Sequence, residues 1–148
     1  MANFTYQGTV GGVSPETKVF NVVAGGSGGS ILQGDLVTVD NGYAALVGNG
    51  GGAAAGRYGL ARTTSTETGA VNGTVEVIYC PSGILVKGKA TTPGNLAAGV
   101  LFDRVSVDLS GTVQTIDEND PGAAYALTIL SYDNATDGNC ICQLPWLA

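Results

Sequence analysis

No window of eleven residues in this chain keeps apolar side chains at positions i, i+3, i+4 and i+7 without a glycine or a β-branched cluster interrupting it. One short turn near "PGAAYAL" (121–127) is the exception. Alternation takes the place of helical period. In "RVSVDL", Val105, Val107 and Leu109 alternate with Arg104, Ser106 and Asp108, which turns one face of a strand to a core and the other to water. The runs are separated by turn residues. "LVTVD-NG-YAALV" carries Asn41-Gly42, the dipeptide favoured for a two-residue type I′ hairpin. Pro81-Ser82-Gly83 closes "TVEVIY" on "ILVKGKA", and Ser110-Gly111 closes "RVSVDL" on "TVQTID". With "FTYQGTV", "KVFNVV", "ALTILSY" and "CICQL", the pattern predicts an all-β chain: one small β-barrel or β-sandwich of about nine to eleven short strands.

The first thirty residues differ in kind. Phe4, Tyr6 and Phe20 stand as apolar anchors between Gly-Gly and Ser-Pro breaks, and residues 24–29 are Gly or Ala at five of six places. Residues 1–30 therefore read as an extended N-terminal arm with a Gly/Ser loop, and residues 31–148 as the β-domain. An arm of this composition is suited to lending strands to a neighbouring chain. At the other end, the single tryptophan, Trp146, follows a proline and either closes the domain's own core or anchors into a partner.

The chemistry is constrained mainly by one count: the chain has no histidine. "GGSGG" (25–29) fits the G-x-S-x-G pattern of a nucleophile elbow, but Ser27 has no imidazole to take its proton. Gly48, Gly50 and Ala53, with Glu67 downstream, imitate a dinucleotide fingerprint, yet Gly56 and Gly59 interrupt the helix that would hold the pyrophosphate. Cys80, Cys140 and Cys142 lack zinc-ligand spacing and a fourth ligand, so they read as small buried hydrophobes. "DNATDGN" (133–139) starts like a calcium loop but has Ala135 where an oxygen ligand belongs, and β-turns account for both it and "DENDPG" (117–122). No catalytic residue, metal site or cofactor is expected, and the chain does not read as an enzyme.

Partners follow from charge. Twelve acidic residues outweigh six basic ones, and Lys18, Arg57, Arg62, Lys87, Lys89 and Arg104 are scattered, which argues against nucleic acid. No apolar run approaches the ~20 residues of a membrane-spanning helix. The start "MANFTYQGTV" lacks the features of a signal peptide, so synthesis in a cytoplasm is expected. The remaining partner class is protein.

Three segments carry a family resemblance: "GDLVTVDNGYAAL", "YGLARTTSTETGAVNGTVEVIYCPSGILVKGKATTPGN" and "VLFDRVSVDLSGTVQTIDENDPGAAYALTIL". Over roughly residues 30–144 the chain resembles the head decoration, or cement, proteins of tailed bacteriophages. The resemblance implies a virion protein on the outer capsid surface, made in the host cytoplasm, with the major capsid protein and itself, as a homotrimer, for partners. It also implies clamping of adjacent capsid subunits through an N-terminal arm. By position and type, Phe4, Tyr6, Phe20 and Trp146 are the candidate contacts. The alternatives are a tail-tube, fibre or adaptor subunit, a carbohydrate-binding sandwich, and a glycosidase pairing Asp117 with Asp133.

Overall fold

The structure is a computed structural model that describes residues 3–25, 30–48, 56–121 and 127–146. The described residues form eleven strands: β1 (Thr5–Thr9), β2 (Glu16–Val22), β3 (Leu36–Asp40), β4 (Tyr43–Leu46), β5 (Tyr58–Ala61), β6 (Gly73–Tyr79), β7 (Ile84–Lys89), β8 (Arg104–Ser110), β9 (Val113–Pro121), β10 (Leu127–Tyr132) and β11 (Asn139–Leu144). Among the described residues the helical content is three single 3-10 turns, at Val10–Gly12, Pro93–Asn95 and Ala98–Val100. The fold is all-β, as the alternation predicts. The short turn expected within "PGAAYAL" falls mostly on residues outside those described.

The strands make two sheets. One is a closed barrel in the order β2-β4-β3-β5-β6, and the other has six strands in the order β1-β7-β11-β10-β8-β9. Barrel closure rests on one parallel pair, Asn21 opposite Tyr43, where the Asn21 N–H donates to the Gly42 carbonyl at 3.1 Å. The six-stranded sheet curls until Ala90, just past β7, bridges Ile116 on β9. Residues 16–79 thus supply the barrel, while β1 reaches across to pair with β7.

Turn chemistry fixes two of the three expected hairpins. The Pro81–Gly83 turn closes none, because it carries the chain from β6 in the barrel, paired with β2 and β5, to β7 in the other sheet, paired with β1 and β11. Asn41 (φ 51°) and Gly42 (φ 80°) occupy the left-handed pair that a type I′ turn requires, so Asp40 faces Tyr43. The β8–β9 turn lies one residue later than expected: Ser110 pairs with Val113, which leaves Gly111 and Thr112 as the turn. "DENDPG" is not a turn at its start. Asp117 to Asp120 lie within β9, where the register jumps from Ser106–Asp117 to Val105–Pro121 and the surplus residues bulge.

Strands β3 and β5 are buried on both faces, which joins the sheets into one body. Val37, Val39, Ala61, Val75 and Val77 fill the barrel with Phe20 and Ile31. On the opposite face Leu36, Tyr58, Leu60 and Ile78 pack against the six-stranded sheet's Ile84, Val86, Ile116, Ile129 and Leu144. Gln114 seals that junction from β9 although it is polar and almost fully buried. Its Oε1 accepts from the Leu36 N–H at 2.7 Å, and its Nε2 donates to the carbonyls of Leu36 (3.0 Å) and Val47 (2.9 Å). All its neighbours are thereby satisfied, as a buried amide requires.

Candidate interaction surface

The four sequence-derived contact residues separate into two groups. Phe4 is buried in the junction between the sheets, its ring lying over Gly88, where a β-carbon would stand 2.2 Å from it. Its N–H donates to the Gly34 carbonyl at 2.9 Å, and Asn3 beside it donates from Nδ2 to Asp35 (2.7 Å) and to the Thr112 carbonyl (2.9 Å). Burial pushes the Asp35 carboxyl up from its ordinary value, against the bonds from Leu32 and Asn3 that lower it. Tyr6 lies half-buried on the same core. The start of the chain is therefore tied to both sheets.

Phe20 and Trp146 meet at the barrel, with Tyr79 between them. The Tyr79 and Trp146 rings stack at 3.9 Å and 19°, and Phe20 lies 6.2 Å and 6.4 Å from them. The Lys18 ammonium stands 5.9 Å from the Phe20 ring centroid. Burial raises the Tyr79 hydroxyl's pKa, with the Glu16 carboxylate adding to the shift. The C-terminal segment is pinned here because the Tyr58 N–H donates to the Pro145 carbonyl at 3.1 Å and Trp146 bridges Arg57. Tyr79 escapes a reading of local pattern, since only the β2–β6 register, which sets Glu16 opposite Tyr79, brings it to this cluster.

The N-terminal segment also presents open backbone. Among the described residues β1 is an edge of the six-stranded sheet, and β2 has β4 beside it only at Asn21, so Glu16–Val19 pair on one side alone. The turn that joins them carries Val13, 51% exposed, and β2 carries Val19, 58% exposed. Open edges next to exposed β-branched side chains are places where a foreign strand can pair.

Two clefts flank this segment. The larger, about 540 Å³, has an apolar floor of Phe4, Leu60 and Ile78, walls of Tyr6 and Pro15, and Arg62 at its rim, paired with Glu76 at 3.0 Å. The smaller, about 390 Å³, is lined by Asn3, Gln7, Lys87, Lys89 and Asn139 among others.

The other sequence candidates have structural employment. Cys80, Cys140 and Cys142 are buried and unpaired, and burial pushes the Cys140 thiol up to about 11. Among the described residues no group of three or more Cys, Asp or Glu side chains is placed to hold a metal ion. Asp133 closes its own turn, accepting from the Asn134 N–H (2.6 Å) and from the N–H (3.0 Å) and Nδ2 (2.7 Å) of Asn139, and these bonds hold its carboxyl below the ordinary value. Asp117 is shifted upward by burial and by Asp108 and Asp120. Glu118 is buried and accepts from the Thr92 N–H at 2.6 Å; burial raises it as well. Ser27, Gly50 and Ala53 lie outside the described residues.

No protein-family model, curated protein or solved structure matches this chain.

Proposed function

We propose that the protein is a structural virion protein, a decoration protein that binds the outer surface of an assembled phage capsid and clamps adjacent major capsid subunits. The observation that carries this reading is the pair of open strand edges, β1 and Glu16–Val19, joined by a turn that exposes Val13. A neighbouring capsid subunit can add a strand there, with backbone pairing for affinity and pockets beside the edge for selectivity. The sequence resemblance supports the same reading. Each copy that binds only the assembled shell stabilises it by mass action, and a homotrimer would add avidity.

The arm acts in place under this reading. Deleting residues 1–24 would take a strand from each sheet, so point changes test it better than truncation. In cosedimentation with expanded empty shells of the major capsid protein encoded in the same genome, the chain is expected to bind saturably. It is expected to leave compact precursor shells bare, because expansion creates the site between capsomers. Val13→Asp with Val19→Lys, the latter setting an ammonium opposite Glu76, should change folding stability by no more than about 0.5 kcal/mol at each exposed position, while lowering shell binding at least tenfold. Undiminished binding by that variant would remove the edge from the mechanism, and absence of binding by the intact chain would overturn the function.

A further inference from the structure

Asn41-Gly42 serves the barrel twice. It turns β3 into β4 through the left-handed pair, and the Gly42 carbonyl accepts from the Asn21 N–H at 3.1 Å, beside the parallel contact that closes the barrel. The same dipeptide is chemically reactive. A nitrogen on glycine, with no side chain to hinder its approach, can attack the carboxamide of the asparagine before it. Both residues are exposed, and among the described residues nothing bonds the Asn41 carboxamide.

A second such pair, Asn72-Gly73, is held in place. The Asn72 Oδ1 accepts from the Ala24 N–H at 2.8 Å, and Gly73 lies in β6 opposite Val22. A β-carbon on Gly73 would stand 2.0 Å from the Glu67 nitrogen, so the main chain there is wedged and cannot swing towards the side chain. A third pair, Asn49-Gly50, lies outside the described residues. At Asn41 only the turn resists attack, since the Gly42 nitrogen reaches the carboxamide when the left-handed pair is given up. The rate therefore follows local opening of the hairpin tip, which the Asn21–Gly42 bond opposes.

We propose that Asn41 is a self-modification site whose conversion to isoaspartate unlatches the barrel. The Gly42 nitrogen bonds to the Asn41 Cγ, the Cγ–Nδ2 bond breaks, and ammonia leaves with the displaced proton, which gives a cyclic imide. Water then opens the imide. Attack at Cγ leaves aspartate, and attack at the main-chain carbonyl leaves isoaspartate, with Cβ and Cγ now in the main chain. The lengthened turn no longer sets Asp40 opposite Tyr43 with the Gly42 carbonyl towards Asn21, and the new carboxylate stands next to Asp40. Val39 and Ala44, the buried pair beside the turn, lose that closure. The reaction concerns this chain alone and stands or falls separately from the capsid reading.

The test is peptide mass spectrometry of the purified full chain during incubation at neutral pH, with fragmentation that separates isoaspartate from aspartate. In the folded chain Asn41 is expected to convert at least about tenfold faster than Asn72, and in urea the two rates should converge, because the fold and not the dipeptide sets them apart. Asn41→Gly keeps a residue suited to the left-handed turn and removes the carboxamide. Aged wild type should lose urea midpoint in proportion to its isoaspartate, while aged Asn41→Gly keeps the midpoint it had when fresh. An Asn41 that stays intact, or that converts no faster than Asn72 in the folded chain, would overturn the proposal. So would isoaspartate at Asn41 with an unchanged midpoint. A fall of equal size in aged Asn41→Gly would place the damage elsewhere and overturn it too.

Discussion

The barrel and the six-stranded sheet solve the same problem with different means. Among the described residues the barrel closes on itself around nine buried residues, most of them valine or alanine, and closure depends on one parallel contact at Asn21, while the six-stranded sheet draws on a cluster of nineteen that includes side chains from the barrel's outer face, together with the polar Gln114 and Glu118. The barrel is small but self-contained on its inner side; the sheet has a larger apolar face and needs the barrel to cover it. Neither half is an independent domain in energetic terms, because β3 and β5 contribute to both cores. Gln114 makes the dependence chemical as well as hydrophobic, since its Oε1 accepts from the Leu36 N–H of β3 within the buried junction.

The largest break in that comparison is Gln114→Leu. It leaves the Leu36 N–H and the Val47 carbonyl buried without this partner, while the Leu36 carbonyl still accepts from the Val47 N–H at 3.1 Å. At about 1–3 kcal/mol for each of the two stranded groups, a loss of roughly 2–6 kcal/mol is expected. Urea unfolding should keep one transition at a lower midpoint, with fluorescence of the sole tryptophan, on the barrel, coinciding with circular dichroism because β3 and β5 still serve both cores. Two separated transitions would show that Gln114, and not the shared strands, couples the sheets.

A matched pair of glycine substitutions sharpens it. Gly88→Ala drives a β-carbon into the Phe4 ring at 2.2 Å, and Gly59→Ala drives one against Val77 at 2.5 Å and the Ile78 carbonyl at 2.9 Å. Each should cost about 1–3 kcal/mol through overpacking. Gly59→Ala should be the worse of the two, because the Ile78 carbonyl is backbone and cannot turn aside as a ring can. Denaturant midpoints check the order, and equal losses would contradict it.

The smallest effect is the dependence on pH. Burial raises Asp35, Asp117 and Glu118, so the folded chain takes up these protons at higher pH than the unfolded chain does. Their contribution to stability is complete below the ordinary carboxylate values and is lost as pH rises through the raised ones. Asp133 has the opposite sign and weakens the fold as pH falls through its lowered value. As pH falls toward the ordinary carboxylate range the first three dominate, and the unfolding midpoint should move to higher urea. Glu118→Gln keeps an oxygen for the Thr92 N–H and removes the charge, so it should flatten that slope. An unchanged slope would show that Glu118 does not titrate in this window.

Strand alternation and turn glycines made the all-β class and two hairpins legible in the sequence, because both signals are local. The third expected hairpin fails because a local turn signal does not say which sheet the next strand joins. The residues missed owe their places to distant neighbours. β5 is four residues long with a glycine inside, and that glycine is required by the approach of β6, which no local pattern records. Ser106 reads as a solvent-facing position, yet it is buried and donates to Asp120 at 2.8 Å across the bulge of β9. At the candidate site, the aromatic residues were legible by type, but their grouping was not. Register joins Phe20 to Tyr79 and Trp146, while Phe4 lies in the other core.

The most direct test of the proposed role is electron cryo-microscopy of expanded shells saturated with the full chain. The account predicts added density on the outer surface between capsomers, with β1, the Val13 turn and the start of β2 against a neighbouring capsid subunit. Bare shells, or density confined to the inner surface, would contradict it.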